Sequence, residues 1–182
     1  MTILRALIWQ RHDVLGAEFF SLSHADGRIQ LQGAVVVALN GLPTLVQYTI
    51  RCDDAWHTRN VVVREQLGTE ERMLHLTVVN QQWSDGERVL SALDGCTDVD
   101  LGITPATNTL PIRRLNLSVG QRVEIRAAWV RFPELTVEPS RQRYTRVSDN
   151  VCRYQSDSYE ADLTVDELGL VQTYADVWRR VA

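Results

Sequence analysis

The sequence contains no lysine: all nineteen basic residues are arginine, set against twenty-three acidic ones. The resulting net charge of −4 leaves no basic footprint for nucleic acid. Arginine's planar fork suits carboxylate and phosphate, but coding bias in a GC-rich genome gives the same composition, so this choice alone says little about function. Cysteine is scarce. Cys52, Cys96 and Cys152 are odd in number, widely spaced and without a CxxC pair, which argues against a disulfide framework and predicts buried free thiols. The four histidines show no zinc-ligand spacing. Long apolar runs are missing as well, and nothing approaches the roughly 20 residues needed to span a bilayer. The opening "MTILRALIWQRHD" is interrupted by Arg5 and Gln10 and lacks a secretory apolar region, so the expectation is a soluble, cytoplasmic protein. No Pro/Gly/Ser-rich linker, internal repeat or low-complexity tract divides the chain, which predicts one domain over residues 1–182. P-loop, GxGxxG, GxSxG and HExxH motifs are all absent, and no cofactor or metal is expected.

What is present is alternation. Ile29, Leu31, Val35, Val37 and Leu39 fall on one face, as do Val46, Tyr48, Ile50 and Cys52. Leu74, Leu76 and Val78 repeat the pattern; so do Val123, Ile125, Ala127 and Trp129, and Tyr159, Ala161, Leu163 and Val165. Period-two stretches of this kind bury one face and wet the other, the antiparallel signature. Asp26-Gly27, Asn40-Gly41 and Asp85-Gly86 are strong hairpin dipeptides and Leu168-Gly169 a weaker one. A meander of so many strands must curl, layer or close. Two segments read as helical. In Asn108–Gly120, Asn108 or Thr109 suits a cap, Pro111 the first turn, and Gly120 the position past the end; an extended "RLNLSV" is the alternative. In the tail "TYADVWRRVA", Tyr174, Val177, Trp178 and Val181 share one helical face.

The densest polar stretch is "DGCTDVDLGITPATNTLPIRRL". Asp98 and Asp100, two apart in an extended run, point to one face and can share a proton, hold a cation, or simply accept backbone N–H groups. Arg113 and Arg114 diverge by about 100° on a helix, so one of them at most faces a given pocket, where it binds an anion or pairs with Asp98 or Asp100. Thr104, Thr107, Asn108 and Thr109 suit sugar recognition, and equally turns and caps. In "CDDAWHTR", His57 beside Asp53 and Asp54 has the form of an acid–base pair and Cys52 that of a nucleophile, although Cys52 also continues an apolar face. Trp9, Tyr48, Trp56, Trp83, Trp129, Tyr144 and Tyr154 either line an apolar cavity or fill a core.

The run "DGCTDVDLGITPATNTLPIRRLNLSVG" resembles the hallmark segment of a bacterial family described as glycolipid-binding proteins. The likeness extends to Trp9, "YTIRCDDAWHTR", Gln142-x-Tyr144, Tyr154 and "VDELGLVQTY". It implies a spiral β-roll, a many-stranded antiparallel sheet curled around one α-helix, and homodimers. Two departures stand out: Ala106 occupies a position where the family commonly has an aromatic, and "TYADVW" lacks a proline. The resemblance implies non-enzymatic binding of a lipid or glycolipid in an apolar cavity of the curled sheet. Tyr48, Trp56 and Trp129 would serve the apolar part, and Asp98, Asp100, Asn108, Arg113 and Arg114 the polar head. The rival readings are a hydrolase or isomerase using Asp98/Asp100 or Cys52/His57, and a structural dimer that presents a partner surface.

Overall fold

In the computed structural model, residues 2–86, 88–157 and 159–182 are described. They form one open sheet of fifteen strands. Strands β1 (Thr2–Arg11), β2 (Gly16–Ala25), β3 (Arg28–Leu39), β4 (Leu42–Asp53), β5 (Thr58–Leu67), β6 (Glu70–Val79), β7 (Gln82–Asp85) and β8 (Arg88–Val89) form a continuous antiparallel meander. The chain then crosses to the opposite edge of the sheet. There β9 (Asp98–Leu101) pairs parallel with β10 (Arg122–Val130). The meander resumes through β11 (Val137–Ser148), β12 (Val151–Ser156), β13 (Tyr159–Val165), β14 (Val171–Tyr174) and β15 (Trp178–Arg180). Strand β15 returns to pair with β1, Trp9 opposite Arg180.

The period-two pattern decides which face is inside. Trp9, Phe20, Leu31, Val35, Val46 and Ile50 are buried, while their sequence neighbours Ile8, Phe19 and Val36 face outward. The sheet curls over its buried face, and the segment between β8 and β10 runs through the interior. Trp83 anchors it, donating its indole N–H to the Cys96 carbonyl at 2.9 Å. The Val99 N–H donates to the Thr58 hydroxyl at 3.2 Å, fastening β9 to β5 of the other half. The helix α1 (Thr109–Leu115) follows a 3-10 turn (Ala106–Asn108), with Thr109, Leu110, Pro111 and Ile112 all buried. This is the curled sheet around a helix that the alternation and the family resemblance implied.

Three local expectations are corrected. The helix ends at Leu115 rather than near Gly120, because Asn116 turns left-handed (φ 43°) and closes it with an N–H to the Ile112 carbonyl. Asn108 makes no capping bond; its own backbone is already helical, and its side chain is used elsewhere. The tail is not a helix. Val171–Tyr174 and Trp178–Arg180 are paired strands joined by a turn in which Ala175 has φ 43°. Pairing with β1 outweighs the helical spacing there.

The hairpin dipeptides all turn where expected, with positive φ at Gly27, Gly41, Gly86 and Gly169. Cys52, Cys96 and Cys152 are free and buried. Among the described residues, no helix is long and apolar enough to cross a membrane.

Candidate functional site

The polar mid-chain segment supplies one wall of a cleft of about 460 Å³ at the rim of the roll. Asp100, Leu101, Gly102, Thr104, Pro105 and Asn108 come from this segment, and Trp129 from β10. Opposite them stand Tyr154, Tyr159 and Tyr174, from β12, β13 and β14, with Trp178 and Arg11 where β15 meets β1. The tyrosines form one aromatic group. Tyr159 and Tyr174 stack with ring centroids 6.1 Å apart, and each lies 6.3 Å from Tyr154. The Arg11 guanidinium covers the Trp178 ring at 5.5 Å. Gly102 makes room for Trp129, since a Cβ there would lie 2.8 Å from the indole nitrogen.

The cleft's polar groups are held from behind. Asp100 accepts the Gln142 amide at 2.7 Å and the Thr107 hydroxyl at 3.3 Å. Burial raises its pKa above the ordinary carboxylate value despite those two bonds. The Asn108 amide donates to the Pro105 carbonyl at 3.2 Å, and its oxygen accepts the Tyr144 hydroxyl at 2.8 Å. Thr104 accepts the Ala106 N–H at 3.0 Å and donates to Glu18 at 2.6 Å.

Glu18 is wholly buried beneath this wall. It accepts hydrogen bonds from Thr104 and from the Tyr48 hydroxyl. Burial pushes its pKa up to about 8, against the opposing effect of those bonds. Tyr48 reaches Glu18 by lying across Gly33, its cross-strand partner; a Cβ at Gly33 would meet the ring at 2.4 Å. Glycine here is a consequence of that close approach.

The predicted site residues therefore separate. Asp100, Asn108 and Trp129 line one cleft. Asp98 is buried and fixed by Arg114 through two bonds, Nε to Oδ1 at 3.0 Å and Nη2 to Oδ2 at 2.5 Å. Arg113 points elsewhere, stacking over Trp56 at 5.3 Å and abutting Gly169. Tyr48 is committed to Glu18 and does not line the cleft. Cys52 is buried, and burial pushes its thiol far above the ordinary range, leaving little of the thiolate a nucleophile needs. His57 lies at the surface with Asp53.

Sequence reasoning missed Glu18, Tyr159, Tyr174, Trp178 and Asp157 as parts of this region. Glu18 carried a signal: it shares strand parity with the buried Phe20 and Leu22. Tyr159 and Tyr174 carried none as cleft residues, because separate strands bring them beside Tyr154, which the sequence had already singled out.

A solved structure of a DUF1089-family protein from Pseudomonas aeruginosa superposes on this chain with a TM-score of 0.80. The two are 37% identical, over 90% of this chain and 92% of that one. No curated protein matches the chain. Residues 6–180 match the family described as "Putative glycolipid-binding". With that match taking in all fifteen strands, β1 from Ala6 onward, and the enclosed helix, this chain is a member of that bacterial family.

Proposed function

We propose that this chain works as one binding domain for a glycolipid, holding its sugar in the aromatic cleft and its acyl chain in an apolar groove just across the rim. The observation that carries the reading is the cleft itself. Sugar rings present C–H faces that pack on aromatic rings, and hydroxyls that need fixed donors and acceptors. Trp129, Tyr159 and Tyr174 offer the first, and Asp100, Asn108 and Ser156 the second.

The inward faces of the sheet pack on one another and on the helix segment. On the outer face, however, Ile8, Leu15, Val36, Leu45 and Val181 line a groove of about 850 Å³. Leu15, 90% exposed, joins these neighbours in one apolar patch, and a contiguous patch rather than a single leucine is what marks an interaction surface. Gln10 lines this groove and Arg11, the next residue of β1, lines the cleft. One amphiphile draped over that rim would reach both.

The same apolar face supports a second reading, in which two copies pair through Ile8, Phe19 and Val36. The two readings predict different results for V36E. If the face is a dimer interface, light scattering of delipidated protein shows a dimer that V36E converts to a monomer. If it is an acyl site, delipidated protein is monomeric and V36E weakens alkyl-chain binding.

The test of the main reading is titration with octyl glucoside below its micelle concentration, followed by tryptophan fluorescence, with glucose and octanol as partial ligands. The glycoside is expected to bind more tightly than either part, and W129A to weaken it by about tenfold, as the loss of one stacking ring would. Failure of any alkyl glycoside to bind, together with no lipid in an organic extract of the purified protein, would refute it.

A further inference from the structure

Beside the cleft lies a second concavity, of about 700 Å³, across β10, β11 and β12. Its lining includes Arg114, Arg126, Arg141 and Arg143, with Thr97 and Gln155 between them. That concentration of arginine occurs in a chain whose net charge is −4. The register sharpens the point. Arg126 and Arg141 face each other directly across the β10–β11 pair, and like charges so placed repel. Both are exposed.

Two of the four arginines are already neutralised. Arg114 is held by Asp98, and Arg143 donates to Glu124 at 2.5 Å. The other two are not: among the described residues, no carboxylate lies within ion-pair distance of Arg126 or Arg141. Arg126 gives one N–H to the Asp94 carbonyl at 2.9 Å, which leaves most of its five donors free. Asp157 is the remaining acidic residue of the lining. It offsets one of the two charges and leaves the groove positive.

We infer that Arg126 and Arg141 form a binding site for a phosphate group, which sits between the two guanidiniums and relieves their repulsion. A planar fork with several donors matches a phosphate's oxygens. The groove and the cleft share Ser156 and Asp157. Gln142 also lines the groove while donating to Asp100 in the cleft. A phosphorylated headgroup would therefore span both, an extension that rests on the glycolipid reading; the phosphate site itself does not.

The experiment uses two probes at low salt: inorganic phosphate by calorimetry, and sedimentation with vesicles of phosphatidylcholine containing or lacking phosphatidylglycerol. Its variants are R141Q and, as a control, R153Q, whose arginine is paired with Asp162 outside the groove. The wild type is expected to bind at least one probe, R141Q to bind about tenfold more weakly, as loss of a charged hydrogen bond would produce, and R153Q to match wild type. Binding of inorganic phosphate identifies a soluble phosphorylated source, and selective sedimentation with phosphatidylglycerol a lipid headgroup; either supports the site. No binding of either probe overturns it, and so does equal binding, or equal weakening, in R141Q and R153Q.

Thermal melting gives an independent readout. Removing the repulsion should raise the melting temperature of ligand-free R141Q, and a fall would show that Arg141 is structural and overturn the assignment. W129A, which tests the sugar site, should leave phosphate binding unchanged, so failure of one reading is separable from failure of the other.

Discussion

Glu18 allows a quantitative test of how the wall behind the cleft is built. An ordinary glutamate ionises near 4.5, and burial carries this one to about 8. Between those values the unfolded chain has released the proton while the folded chain still holds it, so raising the pH favours unfolding. Glu18 stabilises the fold fully below pH 4.5, and that contribution is lost as pH rises through about 8. Each pH unit inside the window costs about 1.4 kcal/mol, so the range from pH 5 to pH 8 is worth on the order of 4 kcal/mol.

E18Q keeps the shape and one carbonyl acceptor for Tyr48 or Thr104 but cannot ionise. Asp100 and Glu65 are also raised by burial and tilt the wild-type curve in the same direction, so the informative quantity is the difference between the two proteins. Urea denaturation followed by circular dichroism at unit steps from pH 5 to pH 8 measures it. The stability of wild type relative to E18Q should fall steadily over this range by several kcal/mol. Parallel curves would refute the reasoning, because they would mean that Glu18 is ionised in the fold and stabilised by its two hydroxyl partners.

Two further substitutions probe the same interior. G33A places a Cβ 2.4 Å from the Tyr48 ring and should cost about 1–3 kcal/mol through overpacking, with the Tyr48 environment visibly altered in near-ultraviolet circular dichroism. R114A strands Asp98, whose side chain is 1% exposed, and should cost about 3–5 kcal/mol. The double substitution D98L/R114M should recover much of that loss, measured by urea denaturation.

Much of the architecture was legible because it is locally encoded. "LQGAVVVALNGLPTLVQYTIRC" states two strands by parity and their turn by Asn40-Gly41, and both form. The helix start was readable from Pro111 and the apolar spacing, but its end was not: Asn116 and Gly120 both tolerate positive φ, and the choice between them falls to packing. The tail misled because Tyr174, Val177, Trp178 and Val181 satisfy helical spacing, while its strands are made by pairing with β13, with each other and with Trp9–Arg11 at the far end of the chain. The cleft divides the same way. Asp100 and Asn108 stood out as an excess of polar groups in one stretch, whereas Tyr159 and Tyr174 are ordinary strand tyrosines until the sheet curls.

The placement of β15 beside β1 gives the fold a seam. On one side lies everything up to β8, on the other everything from β9. Trp9–Arg11 pair with Trp178–Arg180, and backbone bonds from Ile8 to Val181 and Ala182 and from His12 to Val177 extend the seam at both ends. The cleft lies on that line, with Arg11 on one side of the stitching and Trp178 on the other. A ligand there would touch both ends of the chain, so its binding would add to the bonds that already join the two halves across this seam, such as the Trp9 indole N–H to the Val171 carbonyl at 2.7 Å.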